Sequence, residues 1–266
     1  MDSCAAFTVI ALAASILLLE TSSASAMYLY GTVNNDTVMA KADDSASPVI
    51  TLPSSITLFG NVTSSIYVST NGLLSFKTPI TTFTPKDLPV VDGNPFLAPF
   101  WADINTNIAG NIYYRQSTDS TLLSQATTDI RSYFSLPSFS ATWLFIATWD
   151  GVAYYGSSAT SSTVNTFQAV LCSDGSLTFI MFNYGLLLWT TGTSSGGDNK
   201  GSGGTAALAG VNSGHKYGYY KLPGSLSSSI ISLDSTSNVN VPGRWVIRVD
   251  TLLPRDATGI IGNVDT

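Results

Sequence analysis

Phe96-Leu97-Ala98-Pro99-Phe100-Trp101-Ala102-Asp103-Ile104-Asn105 is the stretch on which the reading of this chain turns. It sets large apolar side chains and one carboxylate on a short segment interrupted by Pro99. Proline cannot donate to a strand ladder and is rare in central strands. The segment therefore reads as an edge strand or a bent one, leading into a polar turn at Asn105-Thr106-Asn107.

The flanking sequence is also β-like. Asn71-Gly72, between Ile66/Val68 and Leu74/Phe76, is the strongest short hairpin signal, because both central residues of a tight turn need positive φ. Asp174-Gly175 separates the 166–172 run from 177–182 and reads as a second hairpin. Phe167, Ala169 and Leu171 share a face in its first arm, and Leu177, Phe179 and Met181 in its second. Val170, Ile180 and Phe182 occupy the opposite faces, so both sides are apolar, as in strands held between two layers. Residues 27–60 read as irregular, with strand-like pieces at 27–30 and 56–59. One helix is predicted: Leu122, Ala126, Ile130 and Phe134 recur at every fourth position, widened by Leu123. Asp119 or Ser120 would cap it and Pro137 would end it, leaving Gln125, Thr128 and Arg131 to solvent. The fold class expected is mainly β, a twisted two-layer antiparallel β-sandwich with one packed α-helix.

The first 26 residues read as a signal peptide. Residues 5–19 are nearly all apolar, short of the roughly 20 that a membrane span needs. Ala24-Ser25-Ala26 is a small-x-small site, giving cleavage after Ala26. The segment lacks the usual Lys or Arg near Met1, and an uncleaved anchor is the competing reading. Residues 251–266 form a C-terminal tail without the hydrophobic end of a lipid-anchor signal. Removing Asp2 and Glu20 with the signal takes the net charge from −6 to −4 and leaves aspartate as the sole acidic side chain. There is no basic stripe, which argues against nucleic-acid binding. Cys4 leaves too, so Cys172 stands alone: a buried free thiol, with intermolecular pairing as the other option. Gly192 to Gly204 is Gly/Ser-rich and by composition a flexible loop that interrupts the domain without dividing it.

The opening stretch resembles the signature of the extracellular nidogen-like (NIDO) domain family. Ser64-Ser65-Ile66-Tyr67-Val68-Ser69-Thr70-Asn71-Gly72-Leu73-Leu74-Ser75-Phe76 is similar to the upstream hairpin of that family. Ala141-Thr142-Trp143-Leu144-Phe145-Ile146-Ala147-Thr148-Trp149-Asp150 and Val164-Asn165-Thr166-Phe167-Gln168-Ala169-Val170-Leu171 resemble its middle strands. Phe182-Asn183-Tyr184-Gly185, Trp189-Thr190-Thr191-Gly192 and Pro242-Gly243-Arg244-Trp245-Val246-Ile247-Arg248-Val249-Asp250 follow in the family's order. The resemblance divides the chain into a domain at 56–250 with an N-terminal extension at 27–55. It implies a secreted, non-catalytic protein of cell-matrix adhesion or extracellular matrix structure. The partners implied are matrix or cell-surface proteins, or the protein's own kind. A lectin-like carbohydrate-binding module is the alternative. Family members usually carry this domain beside other modules, and this sequence stops sixteen residues after it, as a stand-alone domain or a truncated product would.

Catalytic constellations are poorly supplied. Asp103 and Asp150 each follow a tryptophan and could form a glycosidase pair, but Asp at a strand end is also ordinary turn chemistry. Asp103, Asn105 and Asn107 alternate like the first ligands of a calcium loop. The pattern then fails, with Ile108 where glycine belongs and Tyr114 where glutamate belongs. A looser calcium site and simple turn capping both remain open there. His215 is the sole histidine and sits in a turn-like Asn212-Ser213-Gly214-His215-Lys216, so a Ser-His-Asp triad has little to draw on. No catalytic residue, cofactor or metal ligand is therefore assigned. Arg244 and Arg248 flank Trp245 in the last block; period two puts Trp245 and Ile247 on one face and the arginines on the other, one of them paired with Asp103 or Asp150. Trp101 and Trp149 are expected in the core. Asn35-Asp36-Thr37 and Asn61-Val62-Thr63 are glycosylation acceptors at Asn35 and Asn61.

Overall fold

A computed structural model describes residues 27–262; the segment read as a signal peptide, with its expected cleavage site at Ala26, lies outside them. Strands are numbered in chain order. One sheet runs, in spatial order, β1 (Thr37–Val38), β6 (Asn111–Ser117), β7 (Trp143–Val152), β8 (Asn165–Ser173), β9 (Thr178–Tyr184), β12 (Arg244–Arg248) and β13 (Arg255–Asp256). The other runs β11 (Tyr219–Lys221), β10 (Leu208–Asn212), β5 (Phe96–Trp101), β4 (Leu73–Ser75), β3 (Asn61–Ser69) and β2 (Ile50–Leu58). Neighbours pair antiparallel throughout. Leu97 and Phe100 from the smaller sheet meet Trp149, Phe167, Phe182 and Trp245 from the larger in one core, which makes a β-sandwich. The Trp149 and Phe167 rings stack with centroids 5.2 Å apart.

The β8–β9 hairpin shows why its strands are apolar on both sides. Ala169 pairs with Phe182 and Leu171 with Ile180, facing the other sheet. Val170 pairs with Met181 and Cys172 with Phe179, facing outward under the helix. That helix, α1 (Ser120–Phe134), buries Ala126 and Ile130 and exposes Gln125, Thr128 and Arg131. Asp119 caps it, accepting the Thr121 and Leu122 N–H groups at 3.0 and 3.1 Å. Ser135 ends it in the left-handed conformation, two residues before Pro137. The outer face of the smaller sheet is covered too: Ile80, Val90 and Leu226 pack on Phe96, Trp101 and Leu208.

Four sequence expectations are revised. β5 is no edge strand; it lies between β10 and β4. Pro99 is accommodated by a bend: the pairing with β10 shifts register between Leu208 and Gly210. Side-chain parity slips there, with Leu97 and Phe100 inward but Phe96, Ala98 and Trp101 outward. The Asn71-Gly72 turn closes a three-residue loop, since Ser69 pairs with Leu73, and of the two residues only Gly72 has positive φ (80°). A Cβ on Gly72 would stand 1.9 Å from the Phe100 carbonyl oxygen, so close backbone approach also demands glycine. In the Gly/Ser-rich 192–204 loop, whose expected flexibility is a separate matter from these four, Gly197 N–H donates to Gly192 O (3.1 Å), Asp198 N–H to Ser202 O (2.7 Å) and Thr205 N–H to Ser195 O (2.8 Å). Finally, β2 starts at Ile50, earlier than the 56–59 piece. The 27–30 piece forms no strand, but Gln168 binds both the N–H and the C=O of Tyr28 at 2.9 Å, as a ladder partner would.

Candidate functional site

β5 delivers Asp103 to a polar corner. The backbone there is fixed on both sides: Ala102 N–H donates to Asn71 O (3.2 Å) and Tyr155 N–H to Asp103 O (2.9 Å). The 42–45 segment packs alongside. Ala42 N–H donates to Thr106 Oγ1 (2.9 Å) and Thr106 N–H to Ala42 O (3.0 Å). Ser45 N–H and the Thr70 hydroxyl both donate to the Asp43 carbonyl. Asn71 is fully buried and joins three segments. Its Nδ2 donates to Asp44 Oδ1 (2.7 Å) and Thr81 O (2.9 Å), while its Oδ1 accepts the Ile104 N–H (3.1 Å).

This stitching gathers three carboxylates. One ligand-type oxygen each from Asp43, Asp44 and Asp103 lies within 4.8 Å of the others. Asp103 is 2% exposed and Asp44 is open to solvent. None of the three joins a salt bridge among the described residues; nearby Lys41 donates to the Gly110 carbonyl instead. Burial first, then the charges of Asp43 and Asp44, push the Asp103 carboxyl up to about 7, against a lowering by the Ser194 N–H. Asp43 is raised as well, by burial and by Asp44. Gly192 seals the corner: a Cβ there would lie 2.5 Å from Asp103 Oδ2.

Asp150 is not part of the corner. It accepts the Tyr30 hydroxyl at 3.0 Å on the larger sheet. An open groove of about 540 Å³ beside α1, lined by Leu29, Val33, Arg115 and Asp119, contains neither Asp103 nor Asp150. Asn105 caps its own turn by accepting the Asn107 N–H at 2.9 Å, the turn-capping reading of the Asp103/Asn105/Asn107 alternation. His215 is exposed in the loop between β10 and β11. Cys172 is buried and free, its thiol pushed up chiefly by burial.

The arginines find other partners than Asp103 or Asp150. Arg244 pairs with Asp129 at 2.8 Å, and Arg248 with Asp250 at 2.8 Å. Arg244 also donates to Asn183 Oδ1 (2.9 Å) and Tyr133 Oη (3.0 Å) and lies over the Tyr28 ring. Burial alone would depress its guanidinium; Asp129, Tyr133 and Tyr28 hold it above its ordinary range. Trp101, Trp143, Trp149, Trp189 and Trp245, all five tryptophans of the chain, are buried. Asn35 and Asn61 are exposed, each in or beside a turn. No helix of the described residues is long and apolar enough to cross a membrane.

The nidogen-like domain profile matches residues 64–251, which hold most strands of both sheets and Asp103 of the corner. The chain belongs to the nidogen-like domain family. Alpha-tectorin of Mus musculus is 49% identical over 224 residues, covering 84% of this chain and 10% of the relative. Mouse nidogen-1 is 29% identical over 251 residues, covering 88% of this chain and 19% of the relative. Nidogen of Drosophila melanogaster is 28% identical over 242 residues, 87% of this chain and 17% of the relative. The chain thus spans about a tenth of the length of the alpha-tectorins it matches. No solved structure matches it. Asp43 and Asp44 lie outside the 64–251 match, so the nidogen-like domain of this chain borrows two of the corner's three carboxylates from the preceding segment.

Proposed function

We propose that this chain is a secreted, non-catalytic NIDO module acting in extracellular matrix structure or cell-matrix adhesion. The family match across both sheets carries this reading. Alpha-tectorin and the nidogens are structural extracellular matrix proteins. Cleavage after Ala26 and glycans at the exposed Asn35 and Asn61 belong to the same proposal. The partners proposed are matrix or cell-surface proteins, or a second copy of the chain. Docking is proposed to use loops and sheet surface in preference to strand addition. β2, an edge of the smaller sheet, carries Pro53 and an irregular register between Thr51 and Ile56, and both features discourage pairing with another strand. A lectin-like module would use exposed Trp and Tyr; burial of every tryptophan weighs against it, and the exposed Tyr155 and Tyr217 are the rings left to serve it.

The purified secreted protein tests this directly. It is expected to bind immobilised matrix preparations or itself in surface plasmon resonance, and to leave a glycoside panel unhydrolysed. Steady glycoside turnover that Asp150→Asn abolishes would overturn the non-catalytic reading. Binding to a glycan array without any binding to matrix protein would transfer the proposal to the lectin-like module.

A further inference from the structure

The corner at Asp103 contains chemistry that the fold leaves unanswered. Asp103 Oδ2 and Asp43 Oδ1 are both buried without a hydrogen-bond partner. Buried polar atoms are normally satisfied, and buried charges are normally paired. Here the unsatisfied oxygens belong to carboxylates that already crowd one another: ligand-type atoms of Asp43, Asp44 and Asp103 lie within 4.8 Å. Like charges at that spacing repel, and no salt bridge formed by the described residues relieves them.

We propose that Asp43, Asp44 and Asp103 form a divalent-cation site, and that calcium is the ion it takes. The donors decide the class of metal. All are carboxylate oxygens, with no His or Cys in the group, which suits a hard cation and not zinc or copper. Calcium accepts roughly six to eight oxygens in irregular geometry and readily adds carbonyls and water, whereas magnesium demands a near-ideal octahedron. The side chains are held in place by their neighbours. Asp103 is backed by Gly192, and Asp44 is oriented by Asn71. Exposed Asp44 provides the entry path, and buried Asp103 the floor. The site draws on side-chain convergence between distant segments and owes nothing to the Asp103/Asn105/Asn107 spacing. An ion there would fasten the 42–45 segment to the end of β5 and to the 192–194 turn.

The test uses the full secreted chain, stripped with EDTA and titrated with calcium chloride by isothermal calorimetry, with thermal unfolding in parallel. A single calcium ion is expected per chain, with Kd on the order of 10⁻⁴ to 10⁻³ M, as in extracellular modules, and a Tm that rises with calcium. Asp44→Asn alters an exposed side chain, so it should keep the calcium-free Tm while weakening binding by about tenfold or more. Asp103→Asn should abolish the calcium-dependent Tm rise. No heat and no Tm change up to about 10 mM calcium, well above the range of extracellular modules, would overturn the proposal. So would calcium binding that is unchanged in Asp44→Asn, a reading that survives even where Asp103→Asn fails to fold. A larger Tm rise with magnesium than with calcium would overturn the choice of ion. Matrix binding plays no part in these readouts, so failure here and failure of the adhesion reading are separable.

Discussion

Two polar groups, one between the larger sheet and α1 around Arg244 and one past the end of β5 around Asp103, are built on opposite principles. Around Arg244 every charge is answered: Asp129 pairs with the guanidinium, Asn183 and Tyr133 accept from it, and Tyr28 donates to Asp129 at 3.0 Å. Around Asp103 three carboxylates converge, and two of them bury an oxygen that meets no donor. The first group ties α1, β9, β12 and the N-terminal segment together and is complete in the folded chain. The second carries a repulsion that the fold retains. Burial costs polar groups little when they are paired and much when they are not. A retained cost of that kind marks a place where something beyond the chain contributes.

The largest break in this comparison should come from Arg244→Met. It leaves Asp129 beside Tyr28 without its cation, and loss of one partner from a buried pair costs about 3–5 kcal/mol. Urea titration of the secreted protein checks it; a loss under about 1 kcal/mol would mean the pair is well solvated. Trp149→Ala gives a scale for the apolar core between the two groups. Its indole is fully buried and donates to the Ser69 carbonyl at 3.0 Å, so a cost of about 3–5 kcal/mol is expected in the same titration. Gly192→Ala sharpens the Asp103 side. Its Cβ would press on the Asp103 carboxylate, and overpacking of this kind costs about 1–3 kcal/mol. Tyr28→Phe is the smallest expected effect. It removes one hydrogen bond to a charged acceptor, about 1.5 kcal/mol, visible as a modest drop in the urea midpoint.

The two groups also differ in how far the sequence reveals them. The sandwich was legible because period-two patterning survives translation into packing: Phe167, Ala169 and Leu171 point one way and Val170 the other. The helix was legible from its four-residue stripe and from Asp119 as cap. Arg244 was placed on the correct face by parity, but its partner was not found. Asp129 sits on α1, 115 positions away, and no local pattern joins the two. Pro99 argued for an edge strand or a bent one because a ladder gap is costly; the register shift opposite it lets β5 stay central, in keeping with the second of these. The Gly/Ser loop forms backbone hydrogen bonds of its own, and Asp198 adds two by accepting the Lys200 and Ser202 N–H groups, contacts that composition does not encode. The acidic corner was half visible. Asp103 stood out beside Trp101, but the Asp43-Asp44 pair reaches it through contacts between segments distant in the chain, Ala42 with Thr106 and Asp44 with Asn71, 64 and 27 positions apart. A turn of acids with no apolar periodicity around it gave no signal for that closure.

The most direct test of the contrast is a paired unfolding measurement in EDTA at a pH well above 7, where the raised Asp103 carboxyl is ionised, comparing Asp129→Asn with Asp103→Asn. Both substitutions remove one carboxylate charge, partly buried at Asp129 and buried at Asp103, at nearly constant volume. Asp129→Asn takes a countercharge from Arg244 and should lower the urea midpoint. Asp103→Asn relieves repulsion from Asp43 and Asp44 and ends the burial of an unpaired charge, so it should raise the midpoint. Opposite signs are the result predicted. A fall in both midpoints would contradict it, because the Asp103 carboxylate would then be stabilising the fold by itself.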